Sequence, residues 1–396
     1  MRLSSSIGRF AAVKIALAGM MAAMLVACGA PGAGGGGPGG ASFTQSTGAV
    51  KVALLLPVTS SGSTPAVAKA LKQAAELALF DFDNPNVSLV PKDTKGTPDG
   101  ARLAAESAIK DDAELIIGPL FAQEVAGAAP VARQAGIPMI AFSSDEKVAG
   151  NGVYLLSFQA GRDVPRIVSF AMSKGKRSFA QLVPQSPYGR VAESAFAKAV
   201  SGGGGETSVR AAFPTDDSNA MLGPVRQIAN AIKGGQKVDA LFLPAGREEL
   251  PSLAPLLASS DLTNGRVQFV GTGQWDYPNI GGEKALVGGW YPAPDPKGWS
   301  NFVQRYSKTY GSVPPRLASL AYDAVSLAVS LSQNPPGQRY DMGQLTRASG
   351  FAGIDGLFRL LPDGTCERGL AILEVREGGP VVIDPAPSSF ATASSY

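Results

Sequence analysis

Hydroxyl-bearing side chains follow two of the apolar runs in the first half of the chain. Thr59 and Ser60 come shortly after KVALLLP, and Ser143 and Ser144 follow IPMIAF. Hydroxyl groups both donate and accept hydrogen bonds, so they suit the recognition of a small polar ligand. The same residue types also cap helices. The sequence therefore leaves a ligand-binding role and a capping role open for these residues.

The absence of histidine excludes several kinds of catalytic centre. The 396-residue chain contains no histidine at all, which removes Ser-His-Asp and Cys-His catalysis and every metal site that uses histidine. A Gly-x-Ser-x-Gly nucleophile elbow is also missing from the sequence. The acidic residues are scattered over stretches with helical spacing, which is typical of solvated helix faces. We therefore expect no enzyme activity, no cofactor and no bound metal.

Short apolar runs alternate with longer helical patterns from Val50 onwards, and these elements must position the hydroxyl groups. KVALLLP is nearly continuous in apolar residues, as expected for a strand buried on both faces. Helical patterns of 12 to 19 residues separate this strand from the following ones, which predicts βαβ units and parallel pairing. The alternation restarts after residue 160 and gives a second set of strands and helices. The sequence therefore predicts an α/β fold with two Rossmann-like lobes.

The ends of the predicted strands indicate where a ligand would bind, because ligands of open parallel sheets lie beyond the carboxyl ends of the strands. In the stretch ELIIGPLFAQEV, Gly118 ends a strand, and Phe121 and Gln123 lie at the start of the next helix, where backbone N–H groups are unpaired. The matching strand ends of the second lobe contain Tyr188, Arg247 and Trp275. We expect the two edges to face each other across a cleft.

The N-terminal segment has the pattern of a bacterial lipoprotein. Arg2, Arg9 and Lys14 precede or flank the uncharged apolar run IALAGMMAAMLVA, which is the arrangement of a secretory signal. The run ends in LVAC, which resembles a lipobox and predicts acylation of Cys28; a non-lipidated signal is the alternative. The Gly-rich residues up to 48 are typical of a flexible tether. Gly29, rather than an aspartate, favours the outer membrane over the inner one.

Charge and cysteine content narrow the class of partner. The first 28 residues hold three of the 35 basic residues and none of the 32 acidic ones, so the remaining chain is formally neutral. A neutral surface argues against nucleic acid as a partner, because such binding depends on basic patches. Cys366 is the only cysteine besides Cys28, which excludes an intramolecular disulfide in an acylated chain.

The order of these motifs resembles the type I periplasmic binding proteins of the leucine/isoleucine/valine class. The resemblance is carried by KVALLLP, DTKGTPDGARLAAESAI, ELIIGPL, ARQAGIPMIAFSSD, PQSPYGR, RLASLAYDAV and GIDGLFRLLPDGTCERGLAILEV, and it extends from about residue 50 to 384. Within the class, IIGPLFAQEV and IPMIAFSSDEKVAGNGVYLLSF look closest to the lipoproteins called penicillin-binding protein activators.

The resemblance implies two lobes that are joined by three hinge crossovers and close on a ligand without catalysis. Members that bind amino acids usually offer Ser or Thr to the ligand carboxylate in the loop after the third strand, whereas this chain has Phe121 there and no hydroxyl. Ser143 and Ser144 follow the fourth strand, and Tyr188 matches the aromatic residue that often covers the ligand. The expected ligand contacts are Thr59, Ser60, Phe121, Gln123, Ser143, Ser144, Tyr188, Arg247 and Trp275.

Two functions follow from this pattern. The first is a periplasmic lipoprotein that binds a small amino-acid-like solute for the permease of an ABC importer. The second is a regulator that docks on a penicillin-binding peptidoglycan synthase and activates it. The domain boundaries that we predict are a signal peptide at 1–27, a tether at 28–48, a first lobe at 49–158 with 277–340, and a second lobe at 159–276 with 341–390.

Overall fold

The computed structural model describes residues 48–83 and 85–390 of the chain, all within one structural unit that runs from Thr47 to Tyr396. Cys28 and the predicted signal and most of the tether lie outside the described residues. The first lobe contains a parallel sheet with the strand order β2-β1-β3-β4-β5. Its strands are β1 (Val50–Leu56), β2 (Val87–Asp93), β3 (Leu115–Ile117), β4 (Met139–Ala141) and β5 (Val153–Leu155), connected by α1 (Thr64–Phe80), α2 (Pro98–Lys110) and α3 (Ala122–Gln134).

Strand β1 lies at the centre of this lobe because helices cover both of its faces. Every residue of β1 except Lys51 is buried. Leu54 belongs to the core that β1 shares with α1, whereas Leu55 belongs to the core on the opposite face, beneath α2 and α3. The continuous apolar run in the sequence therefore forms a strand that is buried on both faces, as predicted.

The second lobe is built around a seven-stranded sheet with the order β15-β14-β10-β9-β8-β6-β7. The strands from β6 to β10 pair in parallel, while β14 and β15 add an antiparallel edge. Its first elements are α4 (Val164–Ser173), β6 (Ser178–Pro184), α5 (Pro187–Gly202), β7 (Glu206–Phe213), α6 (Leu222–Lys233), β8 (Ala240–Phe242), α7 (Leu250–Ser259), β9 (Gln268–Val270) and β10 (Trp290–Ala293).

The remaining elements return to the first lobe and then complete the second sheet. They are α8 (Pro296–Tyr310), α9 (Ala318–Leu331), α10 (Met342–Leu345), β11 (Phe351–Gly353), β12 (Gly356–Leu360), β13 (Cys366–Arg368), β14 (Ala371–Glu374) and β15 (Val381–Asp384). Strands β12 and β13 form a hairpin, and Leu361 N donates to Thr365 O at its turn.

The chain passes between the lobes three times. The first crossover runs from the end of β5 to the start of α4, the second from the end of β10 to the start of α8, and the third from the end of β13 to the start of β14. The second crossover is rich in proline, with Pro292, Pro294 and Pro296 at alternate positions. The predicted α/β class with two lobes of parallel sheet is therefore confirmed. No helix among the described residues is both long and apolar enough to cross a bilayer.

Two of the predicted domain boundaries differ from the structure. The segment 277–293 was expected in the first lobe, but β10 lies between β9 and β14 in the second sheet, and Ile280 and Tyr291 belong to the second-lobe core. Residues 341–368 were expected in the second lobe, but Phe351 and Phe358 pack in the first-lobe core together with α9. The physical reason is that β11 to β13 form a separate small sheet whose apolar side covers α9.

Three phenylalanines between the second sheet and α4 and α5 provide a test of the core. Phe196 is fully buried; its ring stacks on Phe242 at 4.1 Å and meets the edge of Phe179 at 5.6 Å. We expect Phe196→Ala to lower the free energy of unfolding by about 3–5 kcal/mol, because it removes buried area and leaves a cavity. Phe80→Ala is the matched control, since Phe80 is 75 % exposed, and should cost less than about 0.5 kcal/mol. Urea-induced unfolding measures both values, and equal losses would contradict this packing.

Candidate functional site

A cavity of about 400 Å³ lies where the three crossovers meet. The first crossover contributes Phe158 and Gln159 to its wall, the second contributes Pro294, and the third contributes Arg368 and Leu370. The loop after β4 adds Ser144 from the first lobe, and the second lobe adds Asp163, Tyr188, Gln274 and Asp276. The cavity is therefore enclosed by both lobes, and its volume falls in the range that holds small-molecule ligands.

Two buried side chains of the first crossover bring polar atoms without protein partners to this wall. Ser157 is 4 % exposed and Gln159 is 7 % exposed. Gln159 Oε1 accepts a hydrogen bond from Cys366 N at 3.0 Å, but Gln159 Nε2 and Ser157 Oγ have no partner among the described residues. Buried polar groups are normally paired, so these two atoms are available to a water molecule or a ligand.

Aromatic rings hold two arginines beside the cavity. Phe158 lies between the guanidinium groups of Arg316, at 5.4 Å from the ring centroid, and Arg368, at 4.7 Å. Trp299 covers the guanidinium of Arg316 at 4.5 Å, and Phe358 lies 5.8 Å from that of Arg368. Contact with aromatic faces stabilises a guanidinium and leaves its N–H groups free to bind in their own plane. The three guanidinium nitrogens of Arg368 are covered by protein atoms and have no hydrogen-bond partner among the described residues.

Two acids without exposed surface lie next to these arginines in the first lobe. Asp355 Oδ1 is 2.5 Å from Arg316 Nη1, and Asp355 Oδ2 accepts a hydrogen bond from Ser319 Oγ at 2.6 Å. Asp323 Oδ1 accepts a hydrogen bond from Ile354 N at 2.7 Å, while its Oδ2 has no partner among the described residues. Burial, together with the neighbouring Asp355, raises the pKa of Asp323 to about 7, although the arginines oppose this shift.

The second-lobe wall of the cavity is acidic and aromatic. Asp163 Oδ2 accepts a hydrogen bond from Gly273 N at 2.5 Å, and burial raises the pKa of Asp163. Asp276 is partly buried, and its Oδ2 lies 4.0 Å from Arg316 Nη2, across the two lobes. The hydroxyl of Tyr188 is 2.7 Å from Thr272 Oγ1. The second-lobe wall therefore presents two carboxyl groups, and one of them lies beside Arg316.

Helix α5 explains the position of Tyr188. Ser186 caps this helix by accepting a hydrogen bond from Gly189 N, and Pro187 occupies its first turn. Proline is favoured at this position because the first helical N–H groups have no partner within the helix. Tyr188 is thereby fixed at the helix start, where it lines the cavity.

Among the predicted ligand contacts, Ser144 and Tyr188 line the cavity. The polar atoms of four others have local partners. Thr59 Oγ1 donates to Asp93, Ser60 Oγ donates to Pro57 O, Gln123 Nε2 donates to Gly96 O, and Ser143 Oγ accepts from Asp145 N. These bonds match the capping and turn roles that the sequence left open. The exposed Phe121 and Arg247 are not among the lining residues, so their contact with a ligand stays a prediction.

The prediction that Trp275 contacts the ligand is wrong. Trp275 is fully buried in the second-lobe core, and its indole N–H donates to Leu243 O at 3.1 Å. Its ring lies so close to Gly271 that a Cβ atom at that position would be only 2.2 Å away. The short turn after β9 directs the indole into the core instead of the cavity.

Sequence reasoning missed the residues that give the cavity its charge, namely Arg162, Arg316, Arg368, Asp163 and Asp276. Asp276 directly follows Trp275, a predicted ligand contact, while Arg368 ends strand β13. Asp163 and Arg368 lie at the ends of elements next to a crossover, and that position is the signal that could have found these two. Within residues 48–83 and 85–390, no group of three or more His, Cys, Asp or Glu side chains is arranged to hold a metal ion.

Comparisons with known proteins identify a matching family and several similar solved structures. Residues 49–380 match the family model described as periplasmic binding protein. A protein from Rhodospirillum rubrum, provisionally assigned as a branched-chain amino acid ABC transporter, is similar at 20% identity with a TM-score of 0.74, over 85% of this chain and 100% of that one. No curated protein sequence matches the chain.

Two further solved structures contain bound ligands. The branched-chain amino acid transporter substrate-binding protein LivJ from Streptococcus pneumoniae, in complex with isoleucine, is 18% identical with a TM-score of 0.54, over 85% of this chain and 100% of that one. A solute-binding protein of an ABC transporter from R. palustris, in complex with benzoate, is 20% identical with a TM-score of 0.56, over 86% and 98%. At these identities the likeness shows the fold.

The buried acid beside the cavity makes stability depend on pH. Because folding raises the pKa of Asp323 from 3.8 to about 7, its contribution is fully present below about pH 4 and is lost as the pH rises through 7. We expect Asp323→Asn, which keeps an acceptor for Ile354 N, to reduce the fall in the free energy of unfolding between pH 5 and pH 8. Urea titrations at both pH values measure this fall. Asp99→Asn is the control, since Asp99 is 92 % exposed, and an unchanged fall in the Asp323 variant would contradict the assignment.

Proposed function

Because the chain belongs to the periplasmic binding protein family, we propose that it captures a small amino-acid-like solute in the interlobe cavity and delivers it to the permease of an ABC importer. Family membership implies a periplasmic location. The matched family consists of binding proteins, and the proposed role requires no catalysis. The cavity, and not the lobe edges alone, is the ligand site in this proposal.

One observation carries the proposal, which is the presence of both signs of charge on the wall of a single small cavity. Arg316 lines it from the loop before α9 and Arg368 lines it from the end of β13, while Asp163 and Asp276 line it from the second lobe. A free amino acid carries a carboxylate and an ammonium group, which complement these two sides. Charged groups in a partly buried site bind more strongly than on an open surface, because less water screens them.

The mechanism follows from the contribution of both lobes to the wall. A solute that contacts Ser144 in the first lobe and Tyr188 in the second stabilises the arrangement in which the lobes are close together. Its differential affinity for the closed and open arrangements sets how far the population shifts. The permease would then recognise the closed form.

The ligands of two structural neighbours fit the size and charge of the cavity. Isoleucine and benzoate each combine a carboxylate with an apolar body of a few carbon atoms. In this chain, the ring of Phe158 and Pro294 provide apolar surface next to the arginines. These features support a small organic acid, and the acidic second-lobe wall favours one that also carries an amino group.

Membrane attachment and the alternative function stay proposals. Acylation of Cys28 and an outer-membrane location rest on sequence that lies outside the described residues. Activation of a penicillin-binding peptidoglycan synthase, and the narrower resemblance to its activators, rest on motif similarity. No contact among the described residues favours that role over solute capture.

Calorimetric titration of the full-length chain, stripped of bound solute by unfolding and refolding, tests the proposal. The ligands are the standard amino acids and benzoate. We expect at least one amino acid to bind, and Asp276→Asn to weaken its binding about tenfold, because this substitution removes a negative charge opposite the ammonium group.

Asp112→Asn is the matched control for this experiment, since the side chain of Asp112 is 90 % exposed, and its affinity should equal that of the wild type. Failure of every amino acid and of benzoate to bind would reject solute capture. An unchanged affinity in the Asp276 variant would reject the placement of the ammonium group while leaving solute capture in place.

A further inference from the structure

The first and third crossovers together form a wall that is rich in unpaired hydrogen-bond donors. Ser157 Oγ, Gln159 Nε2 and the three guanidinium nitrogens of Arg368 have no partner among the described residues, and all three residues line the cavity. We call them the hinge donor cluster. An amide nitrogen and a guanidinium can only donate hydrogen bonds, and a hydroxyl can donate as well. The chemical complement of such a cluster is an acceptor with several lone pairs, and a carboxylate is the best match.

The usual alternative place for a carboxylate, the loop after β3, is already occupied by a side chain of this protein. Glu124 is fully buried, and its Oε2 accepts a hydrogen bond from Phe121 N at 2.9 Å at the start of α3. Thr94 Oγ1 hydrogen-bonds to the other oxygen of Glu124. The nearby Gln123 donates to Gly96 O. The start of α3 therefore has its own internal carboxyl group, and a ligand carboxylate would meet a second acid there.

The charges on the two sides of the cavity favour the same orientation. Arg316 adds a second positive charge next to the hinge donor cluster, while Asp163 and Asp276 lie on the second-lobe wall. The carboxylate of a zwitterion is attracted by the arginines and repelled by these acids, and its ammonium group experiences the opposite forces. The two interactions reinforce one orientation, in which the ammonium group points towards the second lobe.

We propose that the solute carboxylate binds to the hinge donor cluster of Ser157, Gln159 and Arg368, and not to the loop after β3. This inference rests on the proposed function and specifies the class of solute as a carboxylic acid recognised by the crossovers. Because the cluster belongs to two of the crossovers, the charged end of the solute contacts the segments that connect the lobes. Selectivity for carboxylate over uncharged analogues therefore depends on Arg368 and Gln159.

Matched pairs of probes test this inference on the stripped full-length chain by calorimetric titration. The pairs are benzoate with benzamide and L-leucine with L-leucinamide, in which the carboxylate is replaced by an uncharged amide of similar shape. We expect each carboxylate to bind about 10- to 100-fold more tightly than its amide, because charge-assisted hydrogen bonds to a guanidinium are lost. Arg368→Gln should weaken carboxylate binding by a similar factor and leave the binding of benzamide nearly unchanged.

Two further variants keep the test decisive if Arg368→Gln fails to fold. Gln159→Glu retains an oxygen that accepts from Cys366 N but replaces the free donor with a negative charge, so it should weaken benzoate binding more than benzamide binding. Arg210→Gln is the control, because Arg210 is exposed on β7 and does not line the cavity. It should bind all four probes as the wild type does.

The outcomes separate this inference from the proposed function. If no carboxylate binds to the wild type, solute capture and the inference are both rejected. If carboxylates bind no better than their amides, or if Gln159→Glu and every folded Arg368 variant bind benzoate as tightly as the wild type, the hinge donor cluster is not the carboxylate site. In that case solute capture stands. A selective loss of carboxylate binding in these variants supports the inference.

Discussion

Two carboxyl groups without exposed surface, Asp323 and Asp355, lie beside the crossovers, and their charge has to be balanced inside the protein. Arg316 pairs with Asp355, and Arg368 supplies the second positive charge next to Asp323. The arginines are in turn held by the rings of Trp299, Phe158 and Phe358. An isolated buried charge is very costly, so removal of either arginine would disturb the acids as well. The need to balance the charge of these two buried acids links helix α9, the small sheet and the first crossover.

The same requirement explains why the cavity has a charged wall at the crossovers. The other lining residues come from loops at the carboxyl ends of parallel strands, which surround the ligand in α/β proteins. Ser144 comes from the end of β4, and Tyr188 comes from the capped start of α5. The lobes thus provide the shape, the hydroxyl groups and Arg316, while the third crossover provides Arg368. A site assembled from all of these segments exists only when the lobes are correctly placed.

The sequence was sufficient to predict the fold but only part of the site. Apolar runs such as that of β1 have a direct physical meaning, because a strand buried on both faces must be apolar throughout. Residues of loops and crossovers have no such periodicity. Arg316 and Arg368 are placed beside the cavity by contacts with Phe158, which is distant from both of them in the sequence. The direction of a side chain after a strand is equally hidden, as Trp275 shows. The lobe to which 277–293 belongs depends on strand pairing and not on local pattern.

The hydrogen bonds between crossovers have a mechanical consequence. Gln159 Oε1 accepts a hydrogen bond from Cys366 N, and Leu155 N donates to Gly364 O, so the first crossover and the end of β5 are tied to the β12–β13 hairpin. The second crossover is stiffened by Pro292, Pro294 and Pro296, whose rings fix the φ angle. These two hydrogen bonds restrict how far the first crossover can move relative to the small sheet. We therefore expect the φ and ψ changes of any lobe movement to fall on crossover residues outside these contacts.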